Sequence, residues 1–157
     1  LNEFGAVRLD AAHDGAVAIR EVEGGCICCT GRVTLRVALT RLLREVRPER
    51  LLLEPSALGH ASRALELFRD PWLGPALDLR GVVCVVDPAQ FADPRVRRVE
   101  SYDEMIALAD VVALSKVVSA EQAAAVRGFA GSMSPAKRAV VEADDFPLAL
   151  LDRPGPT

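Results

Sequence analysis

Lysine is nearly absent from this sequence of 157 residues, which has only two lysines beside 17 arginines. The net charge is −3, so the chain has no basic stripe that could follow a phosphate backbone. Hydrophobic residues make up 50% of the sequence, yet no apolar run approaches the roughly 18 residues that cross a bilayer. These absences argue against general nucleic-acid binding and against a membrane span.

A targeting signal is also missing, because the sequence does not open with a basic segment followed by an apolar one. We therefore expect a cytoplasmic protein. The chain is long enough to bury a hydrophobic core, so neither a disulfide framework nor disorder is needed to explain it. Its first residue is leucine rather than methionine, and we expect a further element of the fold to precede it.

Short apolar runs that alternate with helical patterns predict the fold class. The runs suit strands buried on both faces, and they lie at 17–19, 51–53, 82–86, 111–114 and 139–141. The helical patterns lie at 33–46, 62–68, 103–109 and 119–130, with glycines at 128 and 131 expected to end the last one. Such alternation is typical of parallel βαβ units, so we predict an α/β fold with a mostly parallel sheet flanked by helices.

Polar residues follow three of the predicted strands. Glu54 comes after the second strand, Asp87 after the third, and Ser115 with Lys116 after the fourth. In an open parallel sheet, ligands bind at the carboxyl ends of the strands. We therefore expect the functional site at this edge of the sheet.

Three of the four cysteines, Cys26, Cys28 and Cys29, lie within four residues and follow a pair of glycines. In an extended segment Cys26 and Cys28 share a face and can bind one ion, while Cys29 can turn toward it. A helix that begins near Thr30 would favour the thiolate form of these side chains. Soft thiolates select Zn(II) or Cu(I). The alternative is a set of small buried hydrophobic side chains.

Glu54 follows three leucines, and an isolated carboxylate at the end of a buried strand is costly. A magnesium ion with its water shell would explain it, because a hard cation prefers carboxylate oxygen. A solvated residue at the exposed tip of a strand explains it equally well.

These segments, in their order along the chain, resemble the CobW family of metal-linked GTPases, also called the cobalamin-synthesis type. The matching segments are 2–5 (NEFG), 25–29 (GCICC), 54–60 (EPSALGH), 81–87 (GVVCVVD) and 109–116 (ADVVALSK). The GCICC segment matches the family's GCxCC signature without a change.

The resemblance implies a P-loop NTPase-like nucleotide-binding domain over residues 1–145, with a linker or the start of a C-terminal segment at 146–157. It implies a protein that binds Mg-GTP and a transition metal, and delivers zinc or cobalt to a client metalloprotein; a second copy of the chain is the other partner we consider. By position, Glu54 becomes the catalytic acid near magnesium. The implied metal ligands are Cys26, Cys28 and Cys29, and the implied guanine-side residues are Ser115 and Lys116.

Three parts of the family pattern are absent or altered. The phosphate loop GxxxxGK[ST], expected upstream of the NEFG segment, occurs nowhere in the sequence. Ala57 stands where the family has the glycine of a switch segment, and Val118 stands where it has the aspartate that accepts from guanine. We therefore expect a degenerate nucleotide site with weak or absent GTP turnover. The alternatives are a non-hydrolysing, metal-responsive regulatory module (a pseudo-GTPase) or an inactive fragment.

Overall fold

A computed structural model describes residues 32–54 and 61–155, which belong to two compact units, residues 1–77 and 78–157. The first unit contains helix α1 (Arg32–Glu45) and helix α2 (Ala61–Glu66). Two 3₁₀ turns follow, at Leu67–Arg69 and Gly74–Ala76.

Helix α1 packs its leucine face into the core of the first unit. Leu35 and Leu39 are buried, and Leu43 packs beside them at the next turn of the helix. This spacing of four residues places the three leucines on one side, as expected for a surface helix. Their partners in the core are Leu67 and Leu73. The predicted helix at 33–46 is confirmed within one residue at each end.

The strand predicted at 51–53 is wrong, because this segment has no regular secondary structure. Leu51 and Leu53 pack against the leucine core of the first unit, whereas Leu52 is 75% exposed. This alternation is that of an extended chain, but no strand pairs with it among the residues described in this unit. Within the described part of this unit, Leu51 and Leu53 therefore contribute burial to the core and are not hydrogen-bonded to a strand.

The second unit is built on a parallel sheet of three strands. Strand β1 (Val83–Val86), strand β2 (Val111–Leu114) and strand β3 (Ala139–Glu142) lie in the order β1-β2-β3. The sheet confirms the predicted α/β class and three of the predicted strands. The strand predicted at 17–19 lies outside the described residues.

Strand β2 is buried along its whole length, which explains its unbroken apolar sequence. On one face of the sheet, Val86, Val112 and Leu114 belong to the hydrophobic core of this unit. The helical side chains that complete this core are Phe91, Ile106, Ala123, Val126 and Ala130.

Four helices accompany the sheet: α3 (Pro88–Ala92), α4 (Pro94–Arg97), α5 (Glu100–Leu108) and α6 (Ala120–Gly131). The sequence patterns did not predict α3 and α4, although an Asp-Pro pair marks the start of each. In both, the aspartate caps the helix through its side chain and proline occupies the first turn.

Helix α6 begins as predicted, because the Ser119 side chain accepts from the Gln122 N–H. It continues through Gly128 and ends at Gly131, so the predicted end is confirmed at the second glycine and not at the first. A glycine inside a helix costs about 1 kcal/mol, and burial of Val126 and Ala130 on either side of Gly128 compensates.

Residues that follow β3 return to the segment just before β1. Leu150 is buried within a 3₁₀ turn at Leu148–Asp152, and the Gly155 N–H donates to the Leu79 carbonyl at 3.0 Å. A β-bridge joins Arg80 to Pro154. Within the parts of the chain that are described, none of the helices has the length and apolarity needed to cross a membrane.

Candidate functional site

The predicted site residues fall in three places. Cys26, Cys28 and Cys29 lie outside the described residues, as does Ala57. Glu54 is the last described residue before the gap at 55–60, and its side chain is exposed. The sequence argument that burial makes this carboxylate costly therefore does not apply, and the solvated alternative fits its exposure.

Ser115 and Lys116 lie at the carboxyl end of β2, as predicted. The Ser115 N–H donates to the Val86 carbonyl at 2.9 Å, which joins this loop to the last residue of β1. The residue that follows β1, Asp87, caps α3 by accepting from the Ala89 N–H at 2.9 Å. The structure thus brings the ends of β1 and β2 together at the edge where parallel sheets bind ligands.

Lys116 has a φ of 54°, a left-handed conformation that is uncommon for a residue with a side chain. Its side chain is exposed. Strained backbone of this kind clusters at ligand sites, where the surrounding structure maintains it. The loop after β2 is therefore a candidate binding loop on its own geometry.

The side chain at position 118 cannot accept a hydrogen bond from a guanine base. Val118 is 87% exposed, and its isopropyl group offers no acceptor for the N1 and N2 donors of guanine. Ser115 has already committed its backbone N–H to Val86. The exposed lysine can donate to the O6 and N7 acceptors of guanine, whereas the valine can make only apolar contacts.

Cys84 lies on β1, apart from the cysteine motif, and is a poor metal ligand. Burial raises the pKa of its thiol to about 11, against a smaller opposing effect of the Lys137 charge. A thiol must lose its proton to bind a metal. No group of three metal-binding side chains occurs among residues 32–54 and 61–155.

A polar network lies at the amino ends of the strands, and the sequence patterns did not predict it. The Asp110 carboxylate accepts from the Val82 N–H at 3.0 Å and lies 3.4 Å from the Arg138 guanidinium. Lys137 donates to the carbonyls of Ala107 and Ala109 at the end of α5. Partial burial lowers the pKa of Lys137, against the opposing attraction of Asp110. Asp110 and Arg138 directly precede β2 and β3, and Lys137 lies two residues before β3. A charged residue just before a predicted strand was therefore the sequence feature that indicated this network.

A comparison with known protein families identifies the family of this chain. A sequence profile of the CobW/HypB/UreG nucleotide-binding domain matches residues 1–140. The chain belongs to this family. The resemblance inferred from the five motifs is therefore confirmed, and the matched region includes the GCICC segment and the loop after β2.

Three curated relatives of this CobW/HypB/UreG chain have names that concern zinc. Zinc chaperone YeiR of Escherichia coli (strain K12) is 37% identical over 118 residues, covering 74% of this chain and 36% of the relative. Zinc chaperone CobW of Sinorhizobium sp is 30% identical over 181 aligned positions, covering 95% of this chain and 51% of the relative. Zinc-regulated GTPase metalloprotein activator 1 of Dictyostelium discoideum is 37% identical over 67 residues, covering 43% and 14%.

The chain spans 36% of the length of the first of these relatives and 51% of the second. No solved structure matches it.

Proposed function

We propose that this CobW/HypB/UreG domain is a metallochaperone domain, which binds zinc through Cys26, Cys28 and Cys29 and transfers it to a client metalloprotein. One observation supports the proposal most strongly. The two relatives that align with 74% and 95% of the chain are both named zinc chaperones. Zinc is here the cargo of the protein, and cobalt is the other metal that suits the same thiolates.

The chemistry of the three cysteines suits a carrier. Three thiolates fill three of the four positions of a tetrahedral zinc ion. The fourth position stays open to a ligand from the client, so transfer can begin before the first ligand leaves. A fully closed site with four protein ligands would hold the ion for structural purposes instead.

Zinc content tests the proposal. We expect about one zinc per purified chain, and a loss of that zinc in a Cys26→Ser, Cys28→Ser double variant. Cys84→Ser is the matched control, because its thiol is protonated at neutral pH and its removal leaves zinc unchanged. A chain that is purified without zinc and does not bind added zinc would contradict the proposal.

A second candidate function is a metal-responsive module that does not hydrolyse GTP. The exposed Val118 favours it, since its side chain offers no acceptor for the N1 and N2 donors of guanine. Glu54 remains the proposed acid near magnesium, with Ser115 and Lys116 as the proposed base-side residues, and we expect weak or absent turnover from this set.

Hydrolysis measured on the full natural protein separates the two candidates. Turnover of GTP that depends on Glu54 and fails in a Glu54→Gln variant would exclude the non-hydrolysing module. Absence of turnover together with retained zinc binding supports it. Zinc content and turnover are separate measurements, so either proposal can fail alone.

A further inference from the structure

A segment that follows β3 returns to the chain just before β1. We call residues 147–155 the strap. The strap begins two residues after a 3₁₀ turn at Ala143–Asp145, contains the 3₁₀ turn Leu148–Asp152, and ends beside the residues that lead into β1. It is therefore joined to the start of the sheet by residues that lie far from it in the sequence.

Backbone contacts join the end of the strap to the segment before β1. The Gly155 N–H donates to the Leu79 carbonyl at 3.0 Å, and a β-bridge joins Pro154 to Arg80. A Cβ at Gly155 would lie 2.6 Å from the Arg80 carbonyl oxygen. The two backbones are thus in direct contact, and a larger residue than glycine would separate them.

Two arginines bind the strap through its backbone carbonyls. The Arg80 guanidinium donates to the Asp152 carbonyl at 3.2 Å, and the Arg138 guanidinium donates to the Pro154 carbonyl. The same Arg138 guanidinium lies 3.4 Å from the Asp110 carboxylate. The strap therefore shares Arg138 with the polar network at the amino ends of the strands.

Little apolar surface of the strap is buried. Leu150 is the one buried residue among its nine, whereas Leu148 is 72% exposed. The hydrogen bonds from Arg80 and Arg138 are exposed to solvent. Strand β2, by contrast, is buried along its whole length. Segments with few buried apolar contacts and exposed hydrogen bonds open at a lower free energy than the core does.

We propose that the strap is a conformational element that releases from the amino end of the sheet as one unit, while the three strands stay paired. The Asp110 carboxylate favours the closed state, because it holds the Arg138 guanidinium where that group reaches the Pro154 carbonyl. In the released state Arg138 keeps Asp110 and loses the strap. This inference does not depend on the proposed metallochaperone function.

Hydrogen exchange of the whole chain, measured at single amides by NMR, tests the proposal. The Leu150 N–H bonds to the Pro147 carbonyl within the strap, and the Gly155 N–H bonds to Leu79 outside it. Release as one unit requires similar protection of these two amides, at least about tenfold below that of the β2 amides. Protection of either strap amide equal to that of β2 would overturn the proposal.

Gly155→Ala should open the strap from its end, because the added Cβ meets the carbonyls of Arg80 and Leu79. We expect both strap amides to exchange faster by a similar factor, about tenfold or more, with β2 unchanged. Gly131→Ala is the matched control, since a Cβ there meets nothing within 4 Å. Faster exchange at residue 155 alone would indicate fraying instead of release as a unit, and an equal effect in the control would also contradict the proposal.

Asp110→Asn tests the coupling through Arg138. Asparagine keeps an oxygen that can accept from the Val82 N–H, but it lacks the charge that attracts the guanidinium. Both strap amides should exchange several-fold faster, and by a larger factor than the β2 amides. Asp144→Asn makes the same change at an exposed residue after β3 and should have no effect. Unchanged strap exchange in Asp110→Asn would disprove the coupling, and an equal rise in β2 would show unfolding of the whole unit instead of release of the strap.

Discussion

Asp110 and Val82 exchange two hydrogen bonds at the amino end of the sheet. The backbone N–H of Asp110 donates to the Val82 carbonyl at 2.8 Å, and the Asp110 carboxylate accepts from the Val82 N–H at 3.0 Å. The Asp110 carbonyl accepts in turn from the Arg138 N–H, just before β3. One aspartate thus connects the starts of all three strands.

Replacing Asp110 by alanine should destabilise the fold by about 1–3 kcal/mol, because the Val82 N–H loses its acceptor and Arg138 loses its carboxylate. Urea unfolding measures the change. Asp144→Ala is the control, since Asp144 is exposed and such a change is usually within about 0.5 kcal/mol. Equal stability of the two variants would show that the Asp110 network does not stabilise the sheet.

Gly81→Ala should destabilise the chain by about 1–3 kcal/mol. A Cβ at this position would lie 2.7 Å from the Leu150 carbonyl oxygen, and backbone cannot move aside as a flexible side chain does. The displaced segment around Leu150 should then be cut faster by protease. Gly128→Ala is the control: it meets nothing within 4 Å inside a helix, and it should stabilise the chain by roughly 0.5–1 kcal/mol. An unchanged stability and cleavage rate in Gly81→Ala would show that this close approach does not exist in solution.

Asp70 should make stability depend on pH in the acid range. The N–H of Trp72 chiefly, then the N–H of Leu73 and the Arg36 charge, lower the pKa of this carboxyl, against the opposing effect of desolvation. A carboxyl whose pKa is lower when folded stabilises the fold above its usual pKa of about 3.9, and that contribution is lost as pH falls below it. Asp70→Asn should therefore be less stable than the parent near pH 7, and the difference should shrink toward pH 3. Thermal unfolding of the parent and of Asp70→Asn between pH 7 and pH 3 tests this prediction. A stability difference that does not change with pH would contradict the proposed charge effect.

Cys84 should resist alkylation in the folded chain. With a pKa of about 11, roughly one thiol in a thousand is ionised at pH 8. We expect iodoacetamide to modify Cys84 at least about a hundredfold more slowly in the folded chain than in urea, by mass spectrometry of the digested protein. Similar rates in both states would mean that this side chain is not protected.

The sequence was informative where local chemistry decides the structure. Three apolar runs became the strands of the sheet, and Ser119 capped α6 as its position predicts. The strand predicted at 51–53 was wrong because an apolar pattern does not show whether an extended segment has a strand to pair with. Helices α3 and α4 are only 5 and 4 residues long, too short to show an apolar period, so only the Asp-Pro pair at the start of each indicates them.

Some features of the candidate site could likewise be predicted from the sequence, and others could not. The position of Ser115 and Lys116 at the end of β2 follows from the parallel order of strands, so it could be predicted. The left-handed backbone of Lys116 and the exposure of Val118 depend on how the loop leaves the sheet, which no local pattern encodes. The ion pair between Asp110 and Arg138 joins residues that are 28 positions apart, so no local sequence pattern predicts it either.

Cobalt titration tests the proposed metal ligands most directly, because thiolate-to-cobalt charge transfer gives an absorption in the near ultraviolet that grows with the number of bound sulfurs. We predict that one equivalent of Co(II) produces this band, that zinc displaces it, and that Cys26→Ser, Cys28→Ser and Cys29→Ser each reduce it while Cys84→Ser leaves it unchanged. Absence of the band in the parent chain, or its loss in Cys84→Ser alone, would contradict a metallochaperone that binds its cargo through the GCICC motif.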